Sequence, residues 1–92
     1  MKFTVGWTKS AEQKLTRLWL AARDREAIQE ATANIEAVLA TQPLTAGESR
    51  AGHFRIYFSG PLAVVYSVSE ADRMVKVAEV TRTKLGRGGK QD

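Results

Sequence analysis

The apolar residues of this chain change their spacing once, and that change limits what it can fold into. From Ser10 to Thr41 they recur every three or four positions; from His53 to Arg82 they recur near every second one. The first spacing lays one apolar stripe along a helix, and the second lays one apolar face along a strand. Ala11, Leu15, Leu18, Trp19 and Ala22 form the stripe of a helix that runs to about Arg23. Thr8 and Ser10 are candidate N-caps, and Ser10 with Gln13 fits a capping box. Asp24 can cap a second helix, with Glu26 in its first turn near the positive end of the dipole. The stripe of that helix is Ile28, Ala31, Ile35, Val38 and Leu39, and it stops near Thr41 because Pro43 restricts Gln42. Two amphipathic helices joined at Asp24 make a helical hairpin.

Before the hairpin, Phe3, Val5 and Trp7 alternate with Thr4 and Gly6, which predicts a short strand. After it, a loop of small and breaker residues runs from Pro43 to Gly52. Three strands follow, at residues 53–59, 62–68 and 73–82, divided by Gly60-Pro61 and by Ser69-Glu70-Ala71-Asp72. The last alternates poorly, as a central strand buried on both sides would. The expected fold is α+β: an N-terminal strand, a helical hairpin, then a three-stranded antiparallel meander, with both helices on one face of a four-stranded sheet. Residues 1–83 make the expected domain, and residues 84–92 a flexible basic tail. The expected core holds Leu15, Leu18, Trp19, Ile28, Ile35, Val38, Phe54, Ile56, Phe58, Val64 and Tyr66. Trp7 and Trp19 each lie in an apolar stripe and are expected in the core as well.

The residue types present narrow the chemistry. The 92 residues include no cysteine and one histidine, His53, which excludes a thiol nucleophile and a multi-histidine metal site. Gly86-Arg87-Gly88-Gly89 has no strand-to-helix context, so it is no phosphate loop. Neither a metal nor another cofactor is expected. No apolar run approaches the roughly 20 residues that span a membrane, and the N-terminus lacks the apolar core of a signal peptide. The cytoplasm is therefore the expected compartment. A net charge of +4 and a pI of about 9.8 favour an anionic partner, either nucleic acid or an acidic protein.

One stretch gathers unusual chemical variety. In His53-Phe54-Arg55-Ile56-Tyr57-Phe58 the three hydrophobes alternate with an imidazole, a guanidinium and a phenol. The expectation is that Phe54, Ile56 and Phe58 face the core while His53, Arg55 and Tyr57 face out. Ala63, Val65 and Ser67 of the next strand are expected on that outer face, where their small apolar surface suits docking of a partner helix or strand. Glu48-Ser49-Arg50 lies in the loop beside it.

The residues resemble a known family. Trp7-x-x-x-Ala11 opens the first helix, followed by Leu15-x-x-Leu18-Trp19, Ile35-x-x-x-Leu39 before Pro43, and Gly52-x-Phe54-Arg55. Then come Val64-Val65-Tyr66-Ser67-Val68 and Val75-Lys76-Val77-x-x-Val80. In this order the chain is similar, over about residues 3–83, to the RelE/ParE superfamily of type II toxin–antitoxin toxins. The resemblance implies a toxin neutralised by a cognate antitoxin protein, in a hetero-oligomer with it. RelE-like members cleave messenger RNA on the ribosome; ParE-like members poison DNA gyrase. It therefore implies either a metal-independent endoribonuclease or a gyrase inhibitor. A non-catalytic basic binding module on the same fold is the third reading.

For the ribonuclease, the resemblance carries a two-residue basic pair of one strand onto Arg55 and Tyr57. It carries an arginine of the next strand onto Ala63, and a further arginine onto the region of Arg82 and Thr83. A terminal tyrosine or histidine has no counterpart here. Metal-free RNA cleavage needs a base for the 2′-hydroxyl, cations for the charge on phosphorus and an acid for the leaving oxygen. The candidate catalytic residues are thus Arg55, Tyr57, His53 and Arg82. Arg50, Arg73, Lys84 and Arg87 are candidates to contact RNA, and Arg55, Tyr57, Ala63 and Val65 to contact the antitoxin.

Overall fold

A computed structural model describes residues 2–83. Lys84, Arg87 and the expected tail lie outside the described residues. The chain forms β1 (Thr4–Trp7), α1 (Lys9–Ala21), α2 (Arg25–Thr41), β2 (Glu48–Ser49), β3 (Phe54–Ser59), β4 (Leu62–Ser69) and β5 (Met74–Arg82). Thr8 is the residue that caps α1: its hydroxyl accepts from the Ala11 amide at 3.1 Å. Asp24 precedes α2 but gives it no side-chain cap, because its carboxylate is engaged elsewhere.

The strands make one sheet in the order β1-β5-β4-β3-β2. β1 runs parallel to β5, and every other neighbour is antiparallel. The sheet has five strands where the sequence predicted four. The addition is β2, whose two residues are too few to show a period. Both helices pack on one face. There Ala11, Ile28, Ala31, Ile35 and Leu39 meet Leu62, Val64 and Tyr66 of β4 and Val75, Val77 and Val80 of β5, all buried.

The poor alternation of β5 has a different cause from the one expected. Val65 pairs with Glu79 and Tyr66 with Val77, so Ala78 is an extra residue in the ladder. This β-bulge inverts the parity of the strand, which is how Val75, Val77 and Val80 all face the helices. The strand is covered on one side only.

Parity also decides β3, and there the expectation is overturned. The two-residue Gly60-Pro61 turn sets Ser59 opposite Leu62. Residues directly opposite share a face, so Ser59 faces the helices with Leu62. Tyr57 opposite Val64 and Arg55 opposite Tyr66 then face them too. Phe54, Ile56 and Phe58 therefore point away from the core, with Phe54 38% and Phe58 49% exposed. The helical side of β3 is polar because α2 meets it with Asn34, whose Oδ1 accepts from the Tyr57 and Ser59 hydroxyls, both at 2.9 Å. Leu15, Leu18, Trp19 and Val38 are half-buried at the margin of the core, as is Trp7, whose indole donates to Glu36 at 2.9 Å.

At the β4–β5 turn Arg73 has φ +53°, in the left-handed region. That conformation costs a residue with a side chain about 1–2 kcal/mol, against a glycine entropy penalty of roughly 0.5–1 kcal/mol. Arg73→Gly will therefore raise stability by about 0.5–1 kcal/mol in urea titration. An unchanged or lower midpoint would show that the turn relaxes without cost.

Candidate functional site

The face away from the helices carries an apolar strip across two strands. Phe58 lies opposite Ala63, Ile56 opposite Val65, and Phe54 opposite Ser67. On β5, Thr81 follows opposite Ala63, Glu79 opposite Val65, and Lys76 opposite Ser67. Arg50 closes the other margin, its backbone amide donating to the Phe54 carbonyl at 2.8 Å. The strip is unroofed because both helices lie on the opposite side and no other described element crosses it. His53 is exposed, its ring stacked on Phe54 with centroids 5.1 Å apart and planes 26° apart.

The expected catalytic set is not assembled. Arg55 lies on the helical face, where its Nη2 donates to the Gly47 carbonyl at 2.6 Å and its Nη1 to the Ser49 hydroxyl at 3.3 Å. Its Nε is buried without a hydrogen-bond partner. Arg55 thus ties the loop before β3 to that strand. Tyr57 on the same face is held by Asn34. Arg82, opposite Leu62, also points to the helical side and forms a two-bond ion pair with Asp24 at 2.8 and 3.1 Å. It sits beside the Gly60-Pro61 turn, at the far end of the sheet from His53. His53 alone of the four is free on the open side. Arg73 is exposed at the β4–β5 turn.

The partner-contact set divides in the same way. Ala63 and Val65 are on the open face, whereas Arg55 and Tyr57 are on the other. Sequence reasoning placed all of Phe54, Arg55, Ile56, Tyr57 and Phe58 on the wrong faces, and Phe54 and Phe58 are the exposed aromatics of the open face. Counting residues through Gly60-Pro61 would have found them, since a two-residue turn fixes the parity of both strands.

The hydrogen bonds from Arg82 hold the Asp24 carboxyl below its usual range, and the same pairing raises Arg82. A carboxyl depressed on folding stabilises the fold above its unfolded pKa of about 3.9, and the contribution is lost as pH falls through the folded value. Wild type should therefore melt higher than Asp24→Asn at neutral pH, and the two should converge on acidification below about pH 4. Both side chains are largely solvent-exposed, so added salt will shrink the difference as well. A gap between the two proteins that persists in acid would assign another role to Asp24.

Among the described residues no group of three or more His, Cys, Asp or Glu side chains is placed to hold a metal ion. No helix among them is long and apolar enough to cross a membrane.

No family model matches the chain, and no curated protein matches it. Solved structures do. The toxin–antitoxin complex RelBE2 of Mycobacterium tuberculosis is similar over 89% of this chain and 92% of that one, with a TM-score of 0.75 at 18% identity. The chromosomal ParDE toxin–antitoxin system of P. aeruginosa matches over 90% and 98%, with a TM-score of 0.70 at 15% identity. The isolated E. coli RelE toxin matches over 89% and 85%, with a TM-score of 0.66 at 16% identity. The chain has the RelE/ParE fold, an α+β arrangement of two helices on one side of an open sheet.

Proposed function

We propose that this chain is the toxin of a toxin–antitoxin pair and that it acts by gripping a protein target through the open sheet face. The toxin reading is supported by the fold, which RelE and ParE structures share, two of them in toxin–antitoxin systems. An antitoxin is accordingly the expected cognate partner, and the cytoplasm the expected compartment.

The observation that favours a protein target is the parity of β3. The position that a RelE-like arginine would occupy is Ala63, on the open face. The residues that share this face on β3 are Phe54, Ile56 and Phe58, and none carries charge. The cations and phenol that could have served cleavage, Arg55, Tyr57 and Arg82, are bonded to Gly47 and Ser49, to Asn34 and to Asp24. An apolar, aromatic strip with a polar margin has the composition of a protein-binding surface. Among targets known for this fold, DNA gyrase fits a toxin that works by contact.

Expression without antitoxin, followed by mapping of messenger RNA ends and chromosomal DNA breaks in the same cells, tests the proposal. Growth arrest with DNA breaks and intact messages is the expected outcome. New message ends within the first minutes, lost in Arg55→Ala or His53→Ala, would return the ribonuclease reading.

A further inference from the structure

The open face also contains a pocket of about 270 Å³, lined by Arg50, Ala51, Phe54, Val65, Ala78 and Glu79. Four of the six lining residues, Ala51, Phe54, Val65 and Ala78, are apolar. The β5 bulge contributes a methyl group there, from Ala78, beside Glu79. Arg50 follows β2 and Glu79 lies on β5, so β3 and β4 separate them. Strands lie about 4.8 Å apart, which puts their backbones roughly 14 Å from one another. The two side chains line the same pocket without forming an ion pair. Among the described residues neither the Arg50 guanidinium nor the Glu79 carboxylate has a hydrogen-bond or ion-pair partner. The Phe54 ring, propped by the stacked His53, supplies an aromatic surface beside the gap.

The Phe54 ring and the apolar lining suit a flat, partly apolar ligand. Such a ligand must offer acceptors at one edge for Arg50 and donors at another for Glu79. Guanine does so: O6 and N7 accept together from a guanidinium, while N1–H and the N2 amino group donate together to a carboxylate. Adenine sets its N6 donor beside its N7 acceptor, so neither charged wall finds a matched pair. An aromatic side chain of a peptide offers Glu79 one donor at most and leaves Arg50 with only a ring face.

We propose that this pocket binds a guanine base, stacked on Phe54 and held between Arg50 and Glu79. The base can come from a free guanine nucleotide or from a guanosine in single-stranded RNA. The positively charged chain attracts the phosphate of either. Phe54 and Val65 belong to both this pocket and the apolar strip, so a bound base and a docked protein target would compete for the same face.

Titration of the isotopically labelled chain with GMP, with AMP, and with uridine-flanked guanosine or adenosine trinucleotides, followed by amide NMR shifts, tests it. GMP will shift Phe54, Val65, Ala78 and Glu79, and AMP will bind about tenfold more weakly. Glu79→Gln will lose about tenfold in GMP affinity and narrow the preference over AMP, and Arg50→Ala will lose a similar factor. Both residues are exposed, so the spectra of the free variants will confirm an intact fold. Shifts with GMP assign a free nucleotide as sufficient; shifts with the guanosine trinucleotide alone assign the base to RNA. Equal response to GMP and AMP, shifts elsewhere on the chain, no response to any ligand at millimolar concentration, or full affinity in Glu79→Gln would each overturn the assignment.

Discussion

Truncating Tyr66 to alanine will remove about 4 kcal/mol of folding stability, a large share of the roughly 5–15 kcal/mol that a domain of this size holds. Tyr66 is 0% exposed on β4, with Arg55 opposite on one side and Val77 on the other. Its ring fills the core, and its hydroxyl donates to the Pro43 carbonyl at 2.7 Å. That bond fastens the loop between α2 and β2 onto the sheet. Tyr66→Phe keeps the ring and leaves a buried carbonyl unpaired, so it will cost about 1–3 kcal/mol. Gly47→Ala should injure the same junction, because a Cβ there would lie 2.5 Å from the Ile56 carbonyl oxygen and 2.7 Å from the Tyr66 hydroxyl. Urea titration of the three variants measures all of these. A loss below about 1 kcal/mol for Tyr66→Ala would mean that the loop and core rearrange to refill the space.

Placing aspartate at Phe58 will abolish growth arrest by the free toxin and weaken binding to its protein target by at least about 30-fold. Phe58 is half exposed at the end of the apolar strip nearest the Gly60-Pro61 turn, opposite Ala63. A carboxylate there has no partner on β3 or β4 and would be buried unpaired by any docked protein, which is costly. In the free chain it meets water, so stability should change by less than about 1 kcal/mol. Phe54→Asp should act in the same direction. Arg82→Ala breaks only the surface pair with Asp24 and should leave arrest intact. Cell growth after induction, with thermal melts of the purified variants, separates loss of contact from loss of fold. Arrest unchanged in Phe58→Asp but lost in a folded Arg82→Ala would place the working surface on the helical side of the sheet.

Apart from the two-residue β2, the elements and their order were written in the sequence because hydrophobic period is a local property. Ala11 to Ala22 and Ile28 to Leu39 could make only helical stripes, and the runs around Ile56, Val64 and Val77 could make only strands. The resemblance to RelE and ParE toxins rested on the same local runs, and the fold agrees with it. The placement of Ala63 and Val65 on the face away from the helices was legible as well, although Ala63 is buried there among its neighbours. What tertiary structure decided is which side of each strand the helices cover. The face of β3 was not set by its own hydrophobes, since either of its faces could have met a helix. It was set by β4, whose Leu62, Val64 and Tyr66 enter the core and pass their parity through Gly60-Pro61 to Ser59, Tyr57 and Arg55. The bulge at Ala78 did the same to β5, and its broken alternation looked locally like burial on both sides. Asp24 and Arg82 are 58 residues apart, and Tyr57 meets Asn34 only because α2 lies over β3. Such pairings depend on how the layers stack, and a one-residue change of parity moves every side chain of a strand to the other face. That is why the sequence determined a strand of alternating aromatic and polar residues, while packing alone decided that its aromatic side would be the one left open to a partner.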